Sequence, residues 1–195
     1  MATYESSINV DMPLSSVYNQ WTQFEEFPMF MEGVESVTQV TDELLHWCAS
    51  ISGVRREWDA RITQQVPDQR IAWQSTEGVT IAGEVRFESI NPMRTTITLR
   101  MDYEPESITE KAGDLLGMVR RRVDNDLENF KRFLEERGAE TGEWRGKIEQ
   151  GQTITLDEPD RSISLEQPQT EHAEYPTTQA AGPTPPLTPP APRER

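Results

Sequence analysis

The chain has 195 residues and a formal net charge of −15, with 34 acidic and 19 basic side chains. An acidic surface of this kind repels nucleic acid and anionic membrane surfaces, so we expect neither as a partner. The single cysteine excludes an intrachain disulfide, and the sequence shows neither a signal-peptide pattern nor an apolar run of the roughly 18 residues that a membrane helix needs. We therefore expect a soluble, cytoplasmic protein without an integral membrane segment.

The composition changes near residue 140. Nine of the 14 prolines lie after this point, and the sequence ends in AAGPTPPLTPPAPRER. Such a segment buries too little apolar surface to offset the entropy lost on ordering, so residues 141–195 are predicted to form an acidic, proline-rich disordered tail. Its PxxP-like spacing is typical of ligands for SH3-type grooves, and a plain solvated linker is the alternative. Residues 1–140 are long enough to form one domain with its own core.

Short elements are predicted along most of this domain. Residues 4–10 alternate as a strand does, residues 14–21 have helical spacing after Pro13, and residues 25–34 form a second short helical or looped piece. Six further strands are predicted at residues 34–40, 44–51, 54–66, 70–75, 79–89 and 95–103. Turn-forming separators of a few residues join these strands, and connections this short favour antiparallel neighbours.

One long amphipathic helix is predicted to close the domain. Ser107 and Glu110 fit a capping box at its start, and Gly138 stands where the helix would end. Apolar side chains recur between them at three- and four-residue steps, which is typical of a helix with one apolar stripe. An antiparallel sheet must bury its apolar face, and this helix is its only large partner. A curved sheet around a helix can leave a cavity between the two.

The stretch VRREWDARITQQV, at residues 54–66, indicates which side chains face that cavity. Alternate residues of a strand face opposite sides of the sheet. The alternate set with the apolar centre is predicted to face the helix and comprises Val54, Arg56, Trp58, Ala60, Ile62, Gln64 and Val66. The intervening charged residues, such as Glu57 and Asp59, are then expected in solvent. The same alternation places His46 and Cys48 on the outer face. It predicts inner positions for Leu45, Trp47, Ile71 and Trp73.

The predicted inner face carries almost no titratable group. General acid–base catalysis needs such a group beside the substrate, and only Tyr103 and Arg56 are inner candidates. No Ser/His/Asp or Cys/His set, metal-ligand cluster or phosphate-binding loop can be assembled, so we predict neither a metal nor a cofactor. Within one helical turn, Arg120 and Arg121 each have Asp124 as a partner and Arg122 has Asp126, which favours a solvated helix face over a phosphate site.

The segment INVDMPLSSVYNQWTQFEEFPMFMEGVESV, together with EWDARI, RIAWQS and GEVRFE, resembles the START-like (SRPBCC) superfamily. The resemblance is closest to the polyketide cyclase/dehydrase branch that includes coenzyme Q-binding START proteins, and it covers residues 4–138. It implies an α+β helix-grip fold. In that fold a curved seven-stranded antiparallel sheet wraps a long C-terminal helix, with two short helices after the first strand and an apolar tunnel between sheet and helix. Members bind lipids, isoprenoid quinones, hormones or polyketides, and a minority catalyse cyclisation or dehydration.

Three functions remain open at this level. The first is binding or transport of a hydrophobic small molecule in the cavity, and the second is a polyketide cyclase or dehydratase in which Tyr103 or Arg56 supplies a proton or a hydrogen bond. The third is a protein-interaction module that uses the proline-rich tail. The residues predicted to contact a ligand are Phe27, Phe30, Met31, Trp47, Ala49, Trp58, Ala60, Trp73, Val85, Phe87, Leu99, Met101, Leu115, Leu116 and Val119.

Overall fold

Strands, two early helical segments and one late helix make up the part of the domain that the structure describes. The structure is a computed structural model and describes residues 2–51, 53–77, 80–103 and 114–154, which lie in the compact unit Met1–Leu156. The elements in chain order are β1 (Ala2–Val10), α1 (Leu14–Trp21), a 3₁₀ helix (Phe24–Met29), β2 (Val34–Gln39), β3 (Leu44–Ile51), β4 (Val54–Val66), β5 (Arg70–Ser75), β6 (Ile81–Asn91), β7 (Arg94–Tyr103), α2 (Asp114–Arg137), β8 (Lys147–Glu149) and β9 (Gln152–Ile154).

The first seven strands form one sheet in the order β1-β7-β6-β5-β4-β3-β2. Every neighbouring pair in this order is antiparallel. Helix α2 follows the seventh strand and packs its apolar stripe against the sheet, with Leu127, Phe130 and Leu134 at most 2% exposed. This arrangement confirms the predicted α+β helix-grip fold.

Helix α2 ends where the sequence predicted. Gly138 has a φ of +73°, in the left-handed region that favours glycine, and its N–H donates to the Leu134 carbonyl at 2.9 Å. The capping box predicted at Ser107 and Glu110 lies outside the described residues.

Helix α1 contributes the centre of an aromatic cluster between the sheet and α2. Trp21 is 1% exposed and makes edge contacts with Phe27, Phe87 and Phe130, at ring-centroid distances of 5.7, 6.1 and 4.9 Å. Such edge-to-face pairs add to the free energy gained by burying the rings. The part of the interior that α1 covers is therefore filled by side chains.

A β-bulge in β4 changes which of its residues face inward. Ile62 pairs with Trp73 but Gln64 pairs with Ala72, so β4 has one extra residue at this point. Beyond the bulge Gln65 is the inward residue, 1% exposed, and its side chain donates to the Tyr18 hydroxyl at 3.1 Å. The prediction that Gln64 and Val66 share the inner face with Ile62 was therefore wrong, because the alternation reverses at the bulge.

The domain also continues past the boundary predicted at residue 140. Strand β8 pairs with β4 through Ile148 and Gln65, and Ile148 is completely buried. Arg145 forms an ion pair with Asp68, and Trp144 packs against the core. Residues 141–154 therefore belong to the folded domain, and the remainder of the predicted tail lies outside the described residues.

Truncation tests this boundary. A chain ending at residue 140 is expected to unfold with a free energy lower by about 2 kcal/mol or more than a chain ending at residue 156, because it loses the buried Ile148 side chain. The truncation at residue 156 is expected to match the full-length protein within about 0.5 kcal/mol. Urea unfolding followed by far-ultraviolet circular dichroism measures both, and equal stability of the two truncations would contradict the boundary.

Candidate functional site

An apolar cavity of about 130 Å³ lies between the inner face of the sheet and helix α2. Its wall combines side chains of the sheet, of α1 and the 3₁₀ helix, and of α2. The lining residues are Trp21, Phe24, Phe27, Met31, Leu45, Trp47, Trp58, Ile62, Ile71, Trp73, Ile81, Leu99, Met101, Val123 and Asp126. Among these described residues, Asp126 is the only one whose side chain titrates as an acid or base.

Two tryptophans from neighbouring strands form one wall of the cavity. Trp47 of β3 lies directly opposite Trp58 of β4, and their rings stack with 5.9 Å between centroids and 8° between planes. Phe27 of the 3₁₀ helix meets Trp47 edge-on at 5.8 Å. Because Trp58 and Phe27 both pack against the Trp47 ring, this part of the wall is a flat and rigid surface for an apolar ligand.

A third tryptophan depends on a glycine of the adjacent strand. Trp73 of β5 lies opposite Gly83 of β6, and its ring covers the glycine. A Cβ at position 83 would lie 2.6 Å from Trp73 Cε2 and 2.9 Å from Met101 Sδ, closer than side chains tolerate. The lack of a side chain at Gly83 therefore leaves the space that the Trp73 and Met101 side chains occupy beside the cavity.

Asp126 brings a carboxyl group from α2 into this apolar wall. Its Oδ1 atom accepts a hydrogen bond from the Glu32 backbone N–H at 2.9 Å. Burial raises the pKa of Asp126 from 3.8 to about 6, which outweighs the lowering by that hydrogen bond and by Arg122. A carboxyl group with such a pKa can both release and accept a proton near neutral pH.

Asp126 was not among the predicted site residues, although its spacing on α2 indicates that it belongs to the apolar face of the helix. It lies three residues after Val123 and four before Phe130, so it belongs to the same helix face as both. It was interpreted as the surface partner of Arg122 instead.

Arg122 has different partners from the one predicted. Its guanidinium donates to the carbonyl oxygens of Glu32 and Ser50, at 2.8 and 3.0 Å. Asn129, two turns further along α2, donates to the Phe30 carbonyl at 3.1 Å. Together with Asp126, these side chains fasten the turn of residues 30–33 to the helix. The predicted pairing of Arg122 with Asp126 was therefore wrong, because backbone carbonyls of this turn and of β3 bind its guanidinium.

Seven of the predicted ligand contacts meet at the cavity: Phe27, Met31, Trp47, Trp58, Trp73, Leu99 and Met101. Five others are placed elsewhere in the buried interior: Phe30, Ala49, Ala60, Val85 and Phe87. Phe87 illustrates why these five do not reach the cavity. Its ring packs against Tyr18 and Trp21 of α1, so other side chains separate it from the cavity. The side chains of Leu115, Leu116 and Val119 lie outside the described residues.

Sequence reasoning missed eight lining residues: Trp21, Phe24, Leu45, Ile62, Ile71, Ile81, Val123 and Asp126. Strand alternation predicts that Leu45, Ile62 and Ile71 lie on the inner face, but the predicted ligand contacts do not include them. Alternation gives the face of the sheet, but not which part of that face the helices leave uncovered.

The residues considered for catalysis from the sequence do not line the cavity where they are described. Arg56 lies opposite Ala49 near the start of β4, and the Tyr103 side chain is outside the described residues. His46 lies on the outer face, where its Nδ1 atom is 2.6 Å from Asp59 Oδ1 and both side chains are about 40% exposed.

Cys48 is on the outer face, but it is not in solvent as that position suggested. It is 3% exposed beneath Glu35, whose carboxylate accepts from its thiol at 3.3 Å. Burial and the neighbouring carboxylate raise the thiol pKa, so the reactive thiolate form is disfavoured.

Within the described residues, no group of three or more histidine, cysteine or acidic side chains is placed to hold a metal ion. In the same part of the chain, no helix has the length and apolar character needed to span a bilayer.

Comparison with known proteins identifies the family. The family model for polyketide cyclase/dehydrase and lipid transport matches residues 10–132. A protein of Streptomyces lincolnensis, described as an uncharacterized 17.2 kDa protein in the melC2-rnhH intergenic region, is 52% identical over 149 residues, which cover 76% of this chain and 99% of that protein.

Two solved structures share the fold at low identity. The Zhui aromatase/cyclase from Streptomyces sp. R1128 superposes with a TM-score of 0.61 at 18% identity, covering 73% of this chain and 99% of that one. A START superfamily protein from Mycobacterium smegmatis has a TM-score of 0.57 at 14% identity, covering 69% and 95%. The family match spans more than half of the chain, and the chain therefore belongs to the polyketide cyclase/dehydrase and lipid transport family.

Proposed function

We propose that this protein binds a hydrophobic small molecule in the cavity between the sheet and α2 and functions in its binding or transport. The observation that carries the proposal is the lining itself, which among the described residues is aromatic or aliphatic apart from Asp126. Transfer of apolar surface from water into such a wall is favourable by roughly 25 cal/mol per Å². The family to which the chain belongs includes lipid transport, which agrees with this function.

The cavity volume limits the size of the ligand. An engineered cavity of about 150 Å³ in another protein binds benzene, so about 130 Å³ accommodates one six-membered ring or a short stretch of an acyl or isoprenoid chain. A lipid, an isoprenoid quinone or a polyketide-like molecule would place one such part in the cavity, and a larger buried part requires the wall to move.

A second function is favoured by one observation, the carboxyl group of Asp126. A cyclase or dehydratase needs a group that can transfer protons beside a substrate held in a productive fold, and Asp126 with a pKa of about 6 meets this need. It replaces Arg56 as the candidate acid, because Arg56 does not line the cavity. The solved aromatase/cyclase neighbours share only the fold at this level of identity and do not decide between the two functions.

The third function, a protein-interaction module using the proline-rich tail, stays a prediction from the sequence, as does the cytoplasmic location.

Gly83→Ala tests whether the cavity is the binding site. The added methyl group is expected to push Trp73 and Met101 into the cavity, since its Cβ overlaps both side chains. We expect the variant to bind α-methylstyrene, an uncharged single-ring probe, at least about tenfold more weakly than the wild type in isothermal titration calorimetry, a change of about 1.4 kcal/mol.

Gly117→Ala is the matched control. Outside the backbone of its own helix, a Cβ at this position meets no atom of the described residues within 4 Å, so the probe affinity is expected to stay unchanged. A Gly83→Ala protein whose near-ultraviolet circular dichroism changes as Trp73 moves, whose far-ultraviolet spectrum is unchanged, and which binds the probe as tightly as the wild type would contradict binding in this cavity.

A further inference from the structure

The turn of residues 30–33 lies between the cavity and a groove on the protein surface. The groove has a volume of about 420 Å³, and Met29, Asn129 and Phe133 are among the residues that line it. Met31 lines both this groove and the cavity. At Met31 the wall between the cavity and the groove is therefore one residue thick.

Three side chains of α2 hold this turn through its backbone. Asn129 donates to the Phe30 carbonyl at 3.1 Å. Asp126 accepts from the N–H of Glu32 at 2.9 Å, and Arg122 donates to the carbonyl of the same residue at 2.8 Å. The three side chains follow one another at four- and three-residue steps, so they belong to one face of the helix.

Burial contributes less to the position of the turn than to the elements around it. Phe30 and Val37 are 5% and 4% exposed, and none of the residues between them is buried. Met31 is only partly buried, and Glu32 is exposed. A segment with few buried apolar contacts can open while the rest of a domain stays folded.

The chain can bend where the turn meets β2. Gly33 has a φ of +72°, in the region that glycine enters without strain, and the Arg122 guanidinium lies against it where a Cβ would overlap. The register between β2 and β3 shifts between Val34 and Ser36, which interrupts the regular ladder. Hinges are commonly a few loop or strand-end residues of this kind, which absorb the change in backbone angles.

We propose that the turn of residues 30–33 is the entrance gate of the cavity, held closed by Arg122, Asp126 and Asn129, and that a ligand enters from the surface groove when it opens. This inference rests on the proposed function, because it concerns the path to the same cavity. It identifies the part of the wall that moves when a ligand larger than the cavity is bound.

A gate of this kind controls the rates of binding rather than the affinity. Loss of a hydrogen bond from a charged side chain is expected to raise the open population about tenfold, a change of about 1.4 kcal/mol. The closed free form and the closed bound form lose the same bond. Association and dissociation are therefore expected to accelerate together, with the dissociation constant kept within about twofold.

Arg122→Met tests the gate, because methionine keeps an unbranched apolar stem and removes the donors. The rate constants for α-methylstyrene are obtained by line-shape analysis of the Ile62 and Ile71 methyl signals in nuclear magnetic resonance titrations. At pH 8, Asp126, with a pKa of about 6, is ionised and accepts from the turn as a carboxylate. We expect both rate constants to rise about tenfold.

Arg121→Met is the matched control, since it removes the same charge from the neighbouring position. Arg121 donates to the Gly117 carbonyl of its own helix at 3.3 Å, so both rate constants are expected to stay unchanged. Asn129→Ala is a second test of the gate that leaves Arg122 in place. It is expected to raise both rate constants about fivefold, because a hydrogen bond between neutral groups contributes less.

Amide hydrogen exchange reports the opening without any ligand. Exchange of the Glu32 N–H is expected to be nearly independent of low concentrations of urea, as in a local opening, and about tenfold faster in Arg122→Met. Amides in the pairing of β6 with β7 are expected to exchange more slowly and to accelerate as urea is added, because they require global unfolding.

The outcomes separate the gate from the binding site. If α-methylstyrene binds but Arg122→Met and Asn129→Ala leave the rate constants unchanged, or change only dissociation, the turn is not the entrance while cavity binding stands. Exchange of the Glu32 N–H only by global unfolding would also overturn the gate. If the probe does not bind the wild-type protein, the proposed function fails and the inference fails with it.

Discussion

Replacing Phe130 with alanine is expected to lower the free energy of unfolding by about 3–5 kcal/mol. Phe130 is completely buried at the centre of the contact between α2 and the rest of the domain. Its ring meets Trp21 at 4.9 Å and Phe30 at 5.2 Å between centroids. The substitution removes this packing and leaves an empty space between α2, α1 and the segment that contains Phe30. Close-packed elements of this kind relax only partly to fill such a space.

Phe133→Ala is the matched control on the same helix. Phe133 is only partly buried and packs on Phe30 at 5.4 Å, with Arg137 over its ring at the surface. We expect a loss of about 1–2 kcal/mol, since less apolar area leaves contact with protein. Urea unfolding at pH 7 measures both variants, and equal losses would show that the aromatic cluster around Phe130 is not the centre of the core.

Asp126→Asn is expected to stabilise the protein above pH 6 and to leave its stability unchanged near pH 4. The pKa of Asp126 is about 6 in the folded protein against 3.8 for the free group, so the folded state binds the proton more tightly. Wild-type stability therefore falls as pH rises from about 4 to about 6, and the neutral amide avoids this loss. At pH 8 the gain is about 1–3 kcal/mol, since each pKa unit corresponds to about 1.4 kcal/mol and solvent screens part of the effect. The asparagine side-chain oxygen can still accept from the Glu32 N–H.

Asp124→Asn, on the same helix, is expected to change the free energy of unfolding in the opposite direction. Hydrogen bonds from Ser6 and Tyr4 hold the pKa of Asp124 below its usual value. Its carboxylate therefore stabilises the fold at neutral pH, and the variant is expected to be less stable than the wild type at pH 7, with the difference disappearing as pH falls through the folded-state pKa. Unfolding curves at pH 3, 4, 6 and 8 measure both variants, with the lowest pH included because the folded-state pKa of Asp124 lies below 3.8. A stability difference between the wild type and Asp126→Asn that does not change with pH would contradict a partly buried carboxyl with a raised pKa at the cavity.

The same Asp126→Asn protein separates the two candidate functions. A binding or transport protein is expected to keep its affinity for uncharged ligands after this substitution. If Asp126 transfers protons in a cyclase or dehydratase reaction, turnover of a polyketide-like substrate is expected to fall by at least about 100-fold while binding persists.

Strand alternation predicted the inner face of the sheet well, because side chains of a regular strand face opposite sides without exception. Trp47, Trp58 and Trp73 were assigned to the interior on this ground, and all three line the cavity. The bulge after Ile62 has no clear signature in the sequence, so Gln65 was placed on the wrong face. One extra residue reverses every assignment that follows it.

Contacts between distant parts of the chain explain the remaining differences. Arg122 and Asp126 are four residues apart on α2, and oppositely charged side chains at this spacing on a helix surface usually pair. The structure brings the turn of residues 30–33 against this helix face, and its backbone groups bind both side chains. Composition alone likewise ended the domain at residue 140, because two strands of three residues each leave almost no periodic pattern.

Methyl-resolved nuclear magnetic resonance, with carbon-13 in the isoleucine, leucine and valine methyl groups, tests the occupied cavity most directly. Titration with α-methylstyrene is expected to shift the methyl signals of Ile62, Ile71 and Leu99 saturably, since these side chains line the cavity. The exposed methyl groups of Val54 and Ile90 are expected to keep their positions. Shifts confined to such surface methyl groups, or no saturable shift in either set, would contradict a ligand site between the sheet and α2.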